Sequence, residues 1–231
     1  MQNELREKKF PKITSTFIYN STHNIMSTPM LYPLEKSYFS ASYSTFVQAT
    51  NHWENLFEWF TKKALALAIH NPLSVLSVGS GTGILDKRLI PLFQSQVSQI
   101  RYVGIDPSEP RCAIFEEHAK ALRSENVSIS IQATQFESYE TDQQFYLVLM
   151  VHALYHFPSP EIPILTSYNL LTQKGKGVIV IAPPDNEFSL FPCKLYPSTR
   201  EYQPCVNPTV ESILCEKKSL MKIFLSRHKL T

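Results

Sequence analysis

The segment Ser74–Asp86, "SVLSVGSGTGILD", places three of the chain's six glycines within five residues, directly after a short apolar and β-branched run. Such a run reads as a strand. Glycines at 79, 81 and 83 permit positive φ and let a ligand lie against main chain where a Cβ would block it. A strand that ends at Val78 and turns through this loop into a helix sets backbone N–H groups and a helix N-terminus over the carboxyl edge of a sheet. Ligands of doubly wound folds bind at that edge. Asp106 follows 23 residues after Gly83, at the end of the next apolar run. A carboxylate there is suited to accept hydrogen bonds from both ribose hydroxyls of an adenosine.

Around this loop, apolar runs alternate with helix-length patterns. Strands are expected at 73–78, 101–105, 127–132, 145–151 and 177–182, with helices near 84–97, 109–122 and 160–172. Short β-branched runs separated by helices specify βαβ units, hence a doubly wound, mostly parallel sheet covered on both faces. Before the first strand, Trp53, Leu56, Phe57, Phe60, Ala64, Leu65, Leu67 and Ala68 recur at helical spacing until Asn71-Pro72 ends the run. Trp53, Trp59 and Phe60 share that apolar periodicity and are expected in the core. The expected organisation is therefore an N-terminal cap over 1–50, a ligand-binding core over 51–187, and a divergent or truncated tail over 188–231.

The tail breaks the rhythm. From Pro192 it holds four prolines, three of the four cysteines, and seven Lys/Arg against three Glu, and only "LMKIFL" (220–225) is strand-like. The whole chain carries a net charge of only +2, so no nucleic-acid partner is expected. The N-terminus lacks the apolar stretch of a secretory signal, and no apolar run is long enough to cross a bilayer. A soluble, cytoplasmic monomer without membrane attachment is expected. Cys112, Cys193, Cys205 and Cys215 show no metal-ligand spacing, so no metal is expected.

Dinucleotide loops read G-x-G-x-x-G, and the third glycine's place is Ile84 here. The G-x-G-x-G spacing instead resembles the first motif of class I S-adenosylmethionine-dependent methyltransferases. The resemblance covers roughly residues 50–185. It implies a Rossmann-like class I methyltransferase fold with S-adenosyl-L-methionine as cofactor, cradled by Gly79, Ser80, Gly81 and Gly83. In "YVGIDPSEPR" (102–111) it implies Asp106 as the ribose-binding acid, with Arg111 nearby. In "IQATQFESY" (131–139) it points to Thr134, Gln135 and Phe136 beside the adenine, and in "LVLMVHALYHFPSP" (147–160) to Val151 beside the donor.

Within that superfamily, "FVQATNHWENLFEWFTKKAL" (46–65), "GIDPSEPR" (104–111) and "MVHALYHF" (150–157) resemble the histamine N-methyltransferase family. That likeness implies a small-molecule acceptor, with an amine nitrogen as the methylated atom. The family's substrate-holding glutamate and glutamine positions fall on His52 and His152 here, and Glu54 and Glu58 are candidates to replace the missing acid. His152, Tyr155 and His156 are expected near the acceptor, where a neutral imidazole can act as hydrogen-bond partner or weak base. The family's sheet ends in an antiparallel hairpin after strand five, and the 44 residues from Phe188 poorly support one. C-terminal strands are therefore expected to be incomplete, leaving strand five with an open edge. The alternative is a non-catalytic donor-binding form.

Overall fold

The structure, a computed structural model, describes residues 51–181 and 222–225, with the backbone alone described for His52 and for 222–225. The proposed cap over 1–50, most of the tail, and Cys193, Cys205 and Cys215 lie outside the described residues.

Helix α1 (His52–Leu67) precedes strand β1 (Leu73–Val78), and the chain then alternates through α2 (Asp86–Gln94), β2 (Ile100–Asp106), α3 (Glu109–Lys120) and β3 (Val127–Ala133). A single 3-10 turn (Phe136–Ser138) leads to β4 (Phe145–Val151). A second (Leu154–His156) leads to α4 (Glu161–Asn169), β5 (Leu171–Ile181) and, later in the chain, β6 (Lys222–Leu225). The sheet order is β3-β2-β1-β4-β5-β6, and every described pairing is parallel. The expected doubly wound parallel sheet is thus present. Strand order reverses at β1, where Val78 is level with Ile105 of β2 and Met150 of β4. The crevice above those three carboxyl ends is the switch point of such a fold.

Two apolar layers hold the sheet. On one face Leu56 and Phe60 of α1, Leu89, Ile90 and Phe93 of α2, and Phe115 of α3 pack on Val75, Tyr102, Leu147 and Val180. On the other, Phe136, Leu154 and Ile164 pack on Leu76, Val103, Val148 and Ile179. Alternation along β1, with Val75 in one layer and Leu76 in the other, is the period-2 signature of a strand buried on both sides. Among the described residues no helix is long and apolar enough to cross a membrane.

Two expectations need correction. Strand β5 starts at Leu171, six residues before its apolar run, because Leu171 pairs with Phe145 ahead of a register break that resumes at Leu147↔Lys176. The polar stretch Thr172–Lys174 hid this extension. Strand five also lacks the open edge expected for it: β6 runs parallel along Val178–Ile181, and it coincides with the strand-like run noted in the tail.

Candidate active site

The three loop glycines all adopt left-handed backbone, with φ of 67° at Gly79, 57° at Gly81 and 68° at Gly83. Their surroundings differ. A Cβ on Gly79 would fall 2.6 Å from the Ala153 Cβ, and one on Gly83 would collide with the Phe115 ring. A Cβ on Gly81 would meet nothing within 4 Å. Gly79 and Gly83 are therefore demanded by protein packing, whereas Gly81 opens onto the crevice, where a ligand can lie against its backbone.

Asp106 ends β2 beside that opening and is buried. Its Oδ2 accepts the Gly81 N–H (3.0 Å) and its Oδ1 the Ser108 N–H (2.9 Å), so the carboxylate is fixed in position and each oxygen keeps a second lone pair. The Thr134 N–H donates to the Asp106 carbonyl (3.1 Å), which ties the end of β3 to the same corner. Gln135 is exposed there. Phe136, by contrast, is buried in the second core layer with its ring edge-on to Phe157 (6.2 Å), so it serves packing and not an adenine face.

Helix α3 clamps the loop from below. Phe115 is fully buried between Gly83 and Gly104, since a Cβ on either would strike its ring, and His118 Nδ1 hydrogen-bonds the Thr82 carbonyl at 2.9 Å. Arg111 lies in the first turn of the same helix. It is close enough to His156 to hold that imidazole below its ordinary range, an effect driven first by burial and then by the guanidinium, with the Asp106 charge opposing. His156 thus belongs electrostatically to the Asp106 side of the crevice.

His152 occupies the other side. It follows β4 with φ of 53°, the one non-glycine residue with positive φ among those described. Histidine visits this region more readily than most residues, but the conformation is strained and is held by its surroundings. The His152 N–H continues the ladder to the Val180 carbonyl (2.9 Å), while Ala153 seats against Gly79. The His152 ring stands edge-on to Trp53 (6.4 Å between centroids, 90°) and stacks near Tyr155 (6.1 Å, 14°), whose hydroxyl is 3.5 Å from His152 Nδ1. His52 begins α1 one residue before Trp53.

Three further readings change with the geometry. Glu54 pairs with Arg88 (3.1 Å) and Glu58 with Lys62 (2.6 Å), both on the exposed side of α1, so neither supplies the acid that the acceptor side was expected to need. Trp53, expected in the core, is half-buried and lines a cavity of about 30 Å3 together with Ser77, Gly79, Ser80, Asp86 and Val151. Asp86 is the acid that sequence reasoning missed. It is 4 % exposed and its Oδ1 accepts the Tyr102 hydroxyl at 2.6 Å. Burial pushes its pKa up, while hydrogen bonds with Ser77 and Tyr102 pull it back. Burial, then the Asp86 charge, drives the Tyr102 phenol well above its ordinary value, so the tyrosine keeps its proton and donates it. A signal was present: Asp86 shares the stripe Asp86, Leu89, Ile90, Phe93, all buried on α2, where a carboxylate is out of place.

Comparison with known proteins agrees with this architecture. Residues 75–175 match the family model of a methyltransferase domain. The plantazolicin methyltransferase BpumL, solved with SAH, superposes with a TM-score of 0.56 at 16% identity over 79% of this chain and 69% of that one. A Bacillus halodurans C-125 protein described as a methyltransferase gives 0.50 at 20% identity, over 68% of this chain and 67% of that one. Coclaurine N-methyltransferase bound to N-methylheliamine and SAH gives 0.44 at 15% identity over 53% of this chain, which spans about a third of that protein (34%). A search of curated proteins found no match. At these identities the first two solved structures establish the fold alone, a Rossmann-like, doubly wound sheet.

Proposed function

We propose that the chain transfers a methyl group from S-adenosyl-L-methionine to a small-molecule acceptor, with an amine nitrogen as the receiving atom. The observation that carries the reading is Gly81: left-handed, open where its Cβ would be, and hydrogen-bonded to a buried Asp106 at the switch point of the sheet. The methyltransferase match over 75–175 gives the same direction. The chain's residues fit the donor, because Gly79, Ser80, Gly81 and Gly83 offer a bare backbone cradle and Asp106 has lone pairs for two ribose hydroxyls. Thr134, Gln135 and Arg111 border the adenosine end, and Val151 the sulfur end.

Bound donor supplies an electrophilic methyl on a sulfonium. The residues of this chain supply placement, since in-line attack depends on holding the acceptor at near-attack distance. Trp53, His152 and Tyr155 form an aromatic wall for that acceptor beside the β4 turn, with His52 at the start of α1 above it. An amine attacks only through its neutral form, so we assign His152 as the hydrogen-bond partner or weak base that takes the proton of an incoming ammonium. His156, which burial and then the Arg111 guanidinium hold below the ordinary imidazole range, stands with it as a second candidate substrate contact. We assign this work to the unit over 51–187, beside whose strand β5 the short strand β6 (Lys222–Leu225) runs. The reading includes a cytoplasmic monomer acting without nucleic acid, membrane or metal.

Isothermal titration with S-adenosylhomocysteine tests the donor half. The wild type is expected to bind and Asp106→Ala to bind at least about tenfold more weakly, the loss of charge-assisted bonds. A folded wild type that takes up none refutes the reading. Label transfer from [methyl-3H]S-adenosylmethionine over a panel of amines and phenols tests the acceptor half, and transfer to phenols alone would overturn the nitrogen assignment.

A further inference from the structure

The opposite, amino edge of the sheet carries a second cavity, of about 410 Å3, at the starts of β1, β2 and β3. It stands a strand length from the donor loop: β1 leaves it at Leu73 and reaches the loop only after Val78, about 16 Å further on. Small-ligand sites have volumes of about 300–1,000 Å3, and this one falls within that range. Its walls are tied together by the protein itself. The Gln99 carbonyl accepts the Leu73 N–H (2.9 Å), and the Asn71 side chain accepts the Gln99 N–H (3.1 Å) while donating to Ser98 Oγ (2.8 Å). The Asn126 carbonyl accepts the Ile100 N–H (2.9 Å), and Glu125 and Asn126 form the tip of a turn closed by two backbone bonds between Ser124 and Val127 (3.2 and 3.1 Å).

Strand register sets Ser74, Arg101 and Ser128 side by side on β1, β2 and β3, and all three line the cavity. Ser74 is spent on the protein, accepting the Tyr146 N–H (2.9 Å) and donating to the Gln144 carbonyl (3.4 Å). Arg101 is steadied by the same carbonyl (3.4 Å) and by the Phe145 ring, 5.9 Å from its guanidinium carbon, which leaves most of its five N–H donors for a ligand. Glu125 lines the cavity as well, yet among the described residues Arg101 and Glu125 form no ion pair, with each other or with any third group. A simple anion there would gain the guanidinium and meet the carboxylate, and a simple cation would do the reverse. A molecule with both charges satisfies both groups through charge-assisted hydrogen bonds. We propose that this cavity binds a small zwitterion of amino-acid chemistry, with its carboxylate on the Arg101 fork and its ammonium on Glu125. Gln99, Asn126 and Ser128 supply amide and hydroxyl contacts between the two charges. A planar guanidinium matches a carboxylate through two parallel bonds, which gives the ligand one orientation.

Saturation-transfer-difference NMR on the full chain, with and without S-adenosylhomocysteine, screens the common free amino acids, and isothermal titration then measures the one that gives the strongest transfer. At least one is expected to bind, and to bind equally with S-adenosylhomocysteine present. Its N-acetyl and carboxamide forms each lack one charge and are expected to bind the wild type at least about tenfold more weakly than the parent. Arg101→Gln and Glu125→Gln are expected to weaken the parent amino acid by a similar factor and to keep S-adenosylhomocysteine within about twofold of wild type. Absence of transfer from every amino acid overturns the proposal. Equal binding of either charge-stripped form overturns it too, because the cavity would then take an anion or a cation alone. Transfer seen only without S-adenosylhomocysteine belongs to the donor loop and has the same consequence, as does unchanged affinity in both variants. The analogue titrations use the wild type, so they decide the matter even where a variant fails to fold. A wild type that binds an amino acid through Arg101 and Glu125 but takes up no S-adenosylhomocysteine supports this site and refutes the donor reading, so the two fail separately.

Discussion

Gly81 and Gly83 share a backbone conformation and differ in what surrounds them, so alanine at each separates folding from ligand binding. Both substitutions force a Cβ into left-handed φ, at a cost of about 1–2 kcal/mol. At Gly81 that is the whole structural cost, because nothing lies within 4 Å of the new methyl. At Gly83 the methyl strikes Phe115, and the ring cannot retreat: it is fully buried and its other edge lies against Gly104, where a Cβ would stand 2.6 Å from Phe115 Cε1. Overpacking of this kind adds about 1–3 kcal/mol. For a chain of this size, about 1.5 kcal/mol at Gly81→Ala lowers the melting temperature by about 3–6 °C, and about 3 kcal/mol at Gly83→Ala by about 6–12 °C. Binding runs in the opposite order. The Gly81→Ala methyl projects into the crevice and displaces the donor's path along the backbone, so S-adenosylhomocysteine affinity falls at least about tenfold although the fold survives. Scanning calorimetry and isothermal titration on the two variants give both quantities. A Gly81→Ala protein that binds as tightly as wild type refutes the placement of the ligand, and a Gly83→Ala protein as stable as Gly81→Ala refutes the Phe115 clamp.

Tyr102→Phe removes a hydrogen bond that lowers the Asp86 pKa, so that carboxyl moves still higher. The folded state then holds its proton to higher pH than the unfolded chain, and stability falls as pH rises through that window: the loss against wild type is about 1–3 kcal/mol at pH 7 and shrinks toward acid pH, read from urea midpoints across pH 4–8. A pH-independent difference would contradict it. For His156 the sign reverses, because a depressed imidazole leaves the unfolded chain binding more protons and stability rises with pH up to its ordinary value. NMR titration is expected to find it below the usual histidine range, and Arg111→Gln to move it upward. His118→Ala removes the bond to Thr82, costing about 0.5–1.5 kcal/mol in the melt and weakening S-adenosylhomocysteine, whereas unchanged affinity would show that the loop needs no such tether.

The glycine loop and the acid that ends β2 were legible in the sequence because each part of that corner is a local rule. Glycine spacing encodes backbone freedom, a β-branched run encodes a buried strand, and the acid at 106 ends such a run. Helix α1 was equally legible from its apolar period. The acceptor side was less so, for physical reasons that can be named. Trp53 obeys the apolar periodicity of α1 and still reaches the cavity, because its place on the stripe lies at the helix end nearest the β4 turn; periodicity gives the face and not the height. Glu54 and Glu58 read as available acids until Arg88 and Lys62 were seen beside them, and the 34-residue separation of Glu54 from Arg88 is invisible to a local pattern. His152 could be singled out from the sequence, but its left-handed φ, beside the approach of Ala153 to Gly79, involves two distant segments that no local pattern joins. The β6 edge was misjudged although its run is strand-like in the sequence, because a local pattern marks a strand and not the strand it pairs with.

That contact between Ala153 and Gly79 joins the two halves of the site. The first loop glycine is bare because the turn after β4 fills its Cβ position, and the same turn sets His152 in its strained conformation beside Trp53 and Tyr155. Trp53 in turn lines the void with Asp86, which Tyr102 of β2 holds from below. Donor loop, acceptor turn and covering helix therefore share contacts at three points, Gly79 with Ala153, Trp53 with His152, and Trp53 with the Asp86 cavity. A ligand that orders any one of them restricts the other two. On the proposed function, a donor laid along the loop therefore bears both on the turn that carries His152 and Tyr155 and on the helix that carries Trp53.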